Sequence, residues 1–304
     1  MTRYDLCLAW NWEYDAGFVT LLEAACQPRG LSLWQVTPGN IEAALGQLSS
    51  GETVFLSFLD RASEADPRFL PLVEWAAGHG VFEINPHERA LHAVNKASMH
   101  LEFITAGIHT PHTIILPPYS LFSDVFPLDL SPLGEKFIVK PAHGGGGEGV
   151  VLAVSTIGQV LEARQAHPQD YYLLQTHIEP RQLACRPAWF RVLYCGGEIH
   201  PFWWDTRTHI YTPLEEEEER LFGLAPVRST TLAIAAVCGL DLFSTEIALT
   251  ETAVFVVVDY VNNPVDLRLQ SAAHDGVPDR TIRDIAERLA DLVLKHRSAA
   301  ETAD

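Results

Sequence analysis

The sequence predicts an α/β protein, passing to α+β in its C-terminal half, on three observations. Short apolar runs alternate with helical patterns through the first third, as in a parallel sheet covered by helices. From Phe137 onward strands crowd together with turns between them. Where the two regimes meet lies FIVKPAHGGGGEGVVLAV, residues 137–154, in which a lysine and five glycines interrupt an apolar pattern.

The elements follow in order. Residues 6–10 (LCLAW), 31–36, 53–59 and 81–84 read as strands, and the periodic segments 17–26, 41–48 and 69–77 between them as helices. Ligands of such sheets sit at the carboxyl ends of the strands, which singles out residues 11–15 after the first strand and Asp60-Arg61 after the third. Asn85 and Pro86 break the chain; residues 94–106 form a helix stopped by Gly107, a C-cap position. Residues 112–116 are a strand, and the loop 117–132, rich in Pro, Ser and Asp, follows. Strands are then expected at 137–139, 150–154, 171–175, 189–195 and 198–204, the last two joined by Gly196-Gly197 as a two-residue hairpin turn. Residues 205–226 read as irregular, with the five glutamates at 215–219 as a solvated, mobile face. A helix at 227–238, strands at 245–249 and 254–259, and a closing amphipathic helix at 279–296 complete the chain, without repeats.

Composition narrows the function. A formal charge of −18 leaves no basic stripe for nucleic acid, so any polyanionic ligand needs local cations and a divalent metal. Five scattered cysteines without CxxC spacing read as buried reduced thiols. The N-terminus does not read as a signal peptide, and the longest apolar run, 230–240, falls short of the roughly 20 residues of a membrane span. A soluble, cytoplasmic protein is the expectation.

The glycines suggest a phosphate loop, because they let backbone amides approach closely. Gly144, Gly146 and Gly149 match the dinucleotide fingerprint in letter, but that loop must open a helix, and VVLAV after Gly149 is strand-like. A P-loop needs Lys-Ser or Lys-Thr after its last glycine, and a protein kinase carries its lysine after the glycines, whereas Lys140 precedes them. What remains is strand, lysine, glycine loop, strand: a hairpin whose first arm aims an ammonium at phosphate and whose tip folds over it.

That arrangement, with Lys96 upstream, resembles the ATP-grasp superfamily, in order from Asn85 to Gln270. Asn95-Lys96 and the AGIHTP step at 106–111 look like its first-lysine helix, and FIVKP at 137–141 like its second-lysine strand. LLQTHI at 173–178 takes the place of the adenine hinge, and Arg191 matches the arginine on the next strand. Gly239-Leu240-Asp241 with Glu246, then VVDYVN at 257–262, look like the paired magnesium-binding strands. The resemblance implies a Rossmann-like parallel-sheet domain at 1–92, a small subdomain with the glycine lid at 93–180, and a C-terminal subdomain with the metal site at 181–304.

It also implies roles. Lys96 and Lys140 would meet the α- and β-phosphates as point charges, while His143 and the amides of Gly144, Gly145, Gly146 and Gly147 close over the γ-phosphate. The backbone of Gln175, His177 and Ile178 would read the purine, and Glu179 or Gln182 the ribose. Glu246, Asp259 and Asn262 would offer magnesium hard oxygens, and Arg191 and Arg268, with Lys140, would stabilise the transferring phosphoryl group. Two departures stand out. The family carries glutamate and then asparagine two residues later, whereas here Asp259 precedes Asn262 by three; a bulge would bring Asn262 inward, or Asn263 serves instead. Gln175 stands where the family has an acid.

The expected activity is an ATP- and magnesium-dependent ligase that converts a carboxylate to an acyl phosphate and joins it to an amine or thiol. Its partners would be small-molecule carboxylates and amines, with no nucleic acid and no membrane, and a homodimer among the assemblies this reading allows. A small-molecule kinase of the same fold and a nucleotide-binding protein without turnover are the alternatives. Trp10, Trp12, Trp203 and Trp204 either line a substrate cleft or pack.

Overall fold

The computed structural model describes residues 1–124 and 128–303; residues 125–127, in the expected loop 117–132, and residue 304 lie outside the described residues. Thr2–Trp10 (β1), Leu33–Val36 (β2), Thr53–Arg61 (β3) and Phe82–Ile84 (β4) form a parallel sheet in the order β2-β1-β3-β4. Helices Ala16–Cys26 (α1), Ile41–Ser49 (α2) and Leu70–Gly78 (α3) supply the crossovers. The run Leu6-Cys7-Leu8-Ala9 is wholly buried because both faces of β1 are covered. Leu6 and Leu8 pack with α1 and the closing helix Asp279–Ala303, whereas Cys7 and Ala9 pack with α2 and α3. The chain leaves β1 toward β2 and then crosses back to β3, so the crevice for a ligand opens at the carboxyl ends of β1 and β3.

His87–Val94 (α4) and Lys96–Thr105 (α5) lead to a second, antiparallel sheet. Its strands are Thr113–Leu116 (β5), Phe137–Pro141 (β6), Val151–Val154 (β7) and Tyr172–Thr176 (β8), in the order β5-β8-β6-β7, with Ile157–Arg164 (α6) between β7 and β8. Leu116, Phe137, Val139, Val154, Val160 and Tyr172 give this unit a small core of its own.

After the short hairpin of Gln182–Leu183 (β9) and Arg186–Pro187 (β10), five strands make the third sheet. They are Trp189–Cys195 (β11), Glu198–Asp205 (β12), Ile210–Pro213 (β13), Leu242–Leu249 (β14) and Phe255–Asn262 (β15), in the order β13-β12-β11-β14-β15. Glu216–Phe222 (α7) and Ala225–Cys238 (α8) intervene between β13 and β14. Gly196 and Gly197 both have positive φ, as the tight β11–β12 turn requires. One apolar core joins the first and third sheets: Leu8, Phe18, Leu193, Phe202, Leu242, Ile285 and Leu289 share it, so the closing helix sits between both sheets.

Several expectations need correction. The helix expected at 94–106 is present as Lys96–Thr105, starting two residues later because Asn95 is extended and its side chain caps the start at Lys96. Residues 87–94 are helical after the Pro86 break, and α6 and β13 were not foreseen. The segment of the glutamates at 215–219 is not irregular, since Glu216–Phe222 is helical, while Glu215, Glu216 and Glu217 are exposed as a solvated face requires. Glu215 and Glu218 close a capping box that starts α7, and Glu219 pairs with Arg228 at 2.8 Å. Glu218 accepts from Trp203 Nε1 at 3.0 Å. Cys185 is exposed, in contrast to the other four thiols. Among the described residues no single helix is long and apolar enough to cross a membrane.

Candidate active site

The site grows from the start of α5 and the tip of the β6–β7 hairpin. Asn95 Oδ1 accepts the N–H groups of Ala97 and Ser98, both at 3.0 Å, which leaves Lys96 as the first helical residue. The Lys96 amide donates to Ala142 O at 2.9 Å, and its ammonium donates to Gly144 O, so the helix start is tied to the loop. Asn95 Nδ2 meets His143 Nε2 at 3.1 Å, while His143 N and Nδ1 each lie 2.9 Å from the Asp170 carboxylate. This anchors the base of the glycine loop. At its tip Gly144, Gly146 and Gly147 have positive φ, and nothing lies within 4 Å of a Cβ placed on Gly144, Gly145, Gly146 or Gly147. The loop is open space lined by backbone.

Lys140 projects from β6 and is only 7% exposed. Its Nζ donates to Val258 O at 3.1 Å and lies 5.3 Å from the Tyr260 ring centre. Burial pushes its pKa down to about 8, helped by Lys96 and opposed by Asp259 and Glu246. Burial pushes the Asp259 carboxyl up, but Lys140, Lys96, Arg191 and the Asn262 hydrogen bond together hold it below the usual range. Charges from α5, β6, β11, β14 and β15 thus act on one another.

A β-bulge sets which asparagine lies beside Asp259. Glu246 pairs with Asp259 and Ser244 with Asn262, so three steps on β15 match two on β14. Without the extra residue, positions 259 and 262 would face opposite sides of the sheet. With it, Asn262 Nδ2 donates to Asp259 Oδ2 at 2.9 Å. Asn263 is engaged elsewhere, accepting from Asn85 Nδ2 at 2.8 Å. Glu246 is held on both oxygens: Arg191 Nη1 reaches Oε1 at 2.5 Å, and Trp189 Nε1 reaches Oε2 at 2.8 Å. Arg191 lies opposite Glu246 on β11, donates to Ser244 Oγ at 2.9 Å and stacks 5.6 Å from the Trp204 ring. Burial opposes its charge, yet Glu246 and Asp259 outweigh that and hold its pKa above the ordinary value.

Among the described residues no three His, Cys, Asp or Glu side chains cluster as a self-sufficient metal site. Two carboxylates and an amide are the hard-oxygen set that suits Mg²⁺ carried on phosphates, since that ion takes few protein ligands. The buried Nε of Arg191 has no partner, a donor suited to an anionic oxygen. The residues present fit a metal–nucleotide pair.

The other expected residues lie at the end of β8 and beyond β15. Gln175 is 2% exposed and points into the protein, donating to Thr113 Oγ1 at 3.0 Å and Tyr260 Oη at 2.7 Å. The chain leaves the sheet after Thr176, with His177, Glu179 and Gln182 exposed and Ile178 half-buried. Arg268 lies between β15 and the closing helix, where it donates to both Asp266 and Asp275 and stacks 5.7 Å from the Trp12 ring. It belongs to this acid-paired cluster and makes no ion pair with Glu246 or Asp259. Of the tryptophans, Trp203 is core, Trp10 bonds Gln35, and Trp12 is 41% exposed beside Tyr14. At the carboxyl ends of β1 and β3, Asn11 bonds Ala62 O, and Asp15 forms a buried ion pair with Arg61 at 2.7 Å.

Two residues were missed by sequence reading. Trp189 stands two positions before Arg191, and strand alternation alone would have put both on one face. Tyr260 follows Asp259 within VVDYVN and was given no role of its own.

No family model matches the chain, and no curated protein does. Solved structures do. A RimK domain ATP-grasp protein from Sphaerobacter thermophilus has a TM-score of 0.65 at 20% identity, covering 94% of this chain and 98% of that one. D-alanine–D-alanine ligase from Bacillus anthracis, complexed with ATP, has a TM-score of 0.64 at 13% identity, covering 98% and 100%. The macrocyclase MdnC from Microcystis aeruginosa, bound with its precursor peptide MdnA, has a TM-score of 0.61 at 11% identity, covering 94% and 99%. The chain has the ATP-grasp fold over 94–98% of its length.

Proposed function

We propose that the chain is an ATP- and Mg²⁺-dependent ligase acting on a carboxylate and an amine or thiol. The observation that carries this reading is the set of charges linked at one place: Lys140, Lys96 and Arg191 all act on Asp259, Arg191 pairs with Glu246, and a bulge adds Asn262. Three cations against two carboxylates leave a positive excess that suits a polyanion, and a polyphosphate would bring the charge that lets a metal join the carboxylates. Lys96 and Lys140 hold phosphate oxygens, the amides of residues 144–147 close over the γ-phosphate, and the backbone of 175–178 meets the base. Glu179 or Gln182 takes the ribose. Glu246, Asp259 and Asn262 hold magnesium, which neutralises phosphate charge when bound. Arg191 steadies the transferring phosphoryl group, and Arg268, already paired with two acids, adds only longer-range charge.

The γ-phosphoryl passes to a substrate carboxylate oxygen, giving ADP and an acyl phosphate; the amine or thiol then attacks the acyl carbon and inorganic phosphate leaves. The fold's solved examples include a D-alanine–D-alanine ligase and a macrocyclase bound to a peptide, which supports amino acids and peptides as the first substrates to try. Incubation with ATP, Mg²⁺ and libraries of amino acids and short peptides should release phosphate only when carboxylate and amine are both present. Phosphate retained on a product would mean a kinase, and nucleotide binding without turnover would mean a binding protein.

A further inference from the structure

We propose that Tyr260 is a positioning residue that ties the base-reading hinge to the lysine and metal strands; this rests on the nucleotide site proposed above. Tyr260 is fully buried, and a buried phenol needs partners for its hydroxyl. Gln175 Nε2 donates to Oη at 2.7 Å, His100 Nδ1 lies 2.7 Å from it, and the Thr113 and Thr110 side chains also bond it. With Gln175 donating, the phenol proton can go to His100 Nδ1. That arrangement requires a neutral imidazole with a bare Nδ1. Burial, with Lys140 nearby, pushes the His100 pKa down to about 4, so the ring is neutral at ordinary pH. The face of the phenol serves the Lys140 ammonium at 5.3 Å, and Phe103 packs edge-on at 5.3 Å.

Each contact reaches an element that carries part of the site. His100 is on α5, whose first residue is Lys96. Gln175 lies at the end of β8, just before the chain leaves the sheet at 177. Lys140 is on β6, and Asp259 precedes Tyr260 on β15. One side chain therefore fixes the separation between hinge, both lysines and the metal strand. It also accounts for glutamine at 175: a carboxylate there would be buried against the phenol and lack the N–H that Thr113 and Tyr260 receive. Such a network loses its effect when any member leaves.

The test compares Tyr260→Phe, which keeps the ring, with Tyr260→Leu, Gln175→Leu, and the double variant Tyr260→Phe/Gln175→Leu. ATP affinity is measured by calorimetry with Mg²⁺ across pH, alongside thermal unfolding. Tyr260→Phe should weaken ATP by about tenfold, and adding Gln175→Leu should weaken it little further, because both break one link. Tyr260→Leu should also move the alkaline loss of affinity to lower pH, since the ring no longer stabilises the Lys140 cation. If Tyr260→Phe does not fold, Gln175→Leu tests the same link by itself. Wild-type ATP affinity in folded Tyr260→Phe or Gln175→Leu overturns the proposal. Lys140→Ala separates the two levels: if it abolishes ATP binding while these variants bind normally, only the role of Tyr260 falls. If Lys140→Ala also binds normally, the nucleotide site itself is wrong.

Discussion

Arg191 and Glu246 face each other across neighbouring antiparallel strands, guanidinium to carboxylate at 2.5 Å, with Trp189 closing on the second oxygen. A carboxylate already compensated on both oxygens is a poor ligand for a bare cation. A nucleotide that draws Arg191 toward phosphate frees it.

Metal and nucleotide should therefore bind in a linked fashion. Titration of the protein with Mn²⁺ by electron paramagnetic resonance should show binding at least about tenfold tighter with a non-hydrolysable ATP analogue than without. Replacing Trp189 by Phe should weaken metal binding in the ternary complex by about 10- to 100-fold, as loss of a partner that orients a ligand does. Equal Mn²⁺ affinity with and without nucleotide would remove the linkage.

Lys140 sets a pH dependence. The phosphates need its cation, which predominates in the free protein only below a pKa of about 8. ATP affinity should be level below that value and fall as pH rises through it, by up to about tenfold per unit. Lys140→Arg keeps its charge throughout and should abolish the fall. An alkaline fall that persists in Lys140→Arg would assign it to another group.

The two asparagines after Asp259 should behave oppositely. Asn262 bonds Asp259, so Asn262→Ala should raise the Mg²⁺ concentration needed for turnover with little effect on unfolding. Asn263 bonds Asn85, whose amide also holds Asp241 N, Leu242 N and Leu242 O. Asn263→Ala should lower stability by about 1–3 kcal/mol and leave the Mg²⁺ requirement unchanged. The reverse pattern would exchange their roles.

Asp15 and Arg61 are both almost fully buried, and Arg61 also donates to Val265 O at 3.0 Å. Asp15→Asn would leave a buried guanidinium without its counter-charge and should cost about 3–5 kcal/mol in urea unfolding. A loss below about 1 kcal/mol would mean that solvent reaches the pair.

Much of this was legible because it is local. The buried run Leu6-Cys7-Leu8-Ala9, the glycine pair at 196–197 and the lysine ahead of the glycine loop carry their periods and turn chemistry in adjacent residues. The start at Asn95 was legible to within two residues, since asparagine before a helix is a capping signal. The engagement of Glu218 and Glu219 was not legible because Trp203 and Arg228, which hold them, come from other elements.

By itself the sequence determined most of the strands and the longer helices, the hairpin with its charged arm, and the cations and carboxylates to look for, because these depend on residue type and short spacing. The helices at 87–94 and 157–164 and the strand at 210–213 did not emerge from it. Only the tertiary structure put Asn262 beside Asp259 and Asn263 beside Asn85, turned Gln175 inward to Tyr260, and gave Arg268 to Asp266 and Asp275. Those outcomes depend on a single extra residue in a strand and on which groups lose water together. Neither register nor burial is written in neighbouring letters.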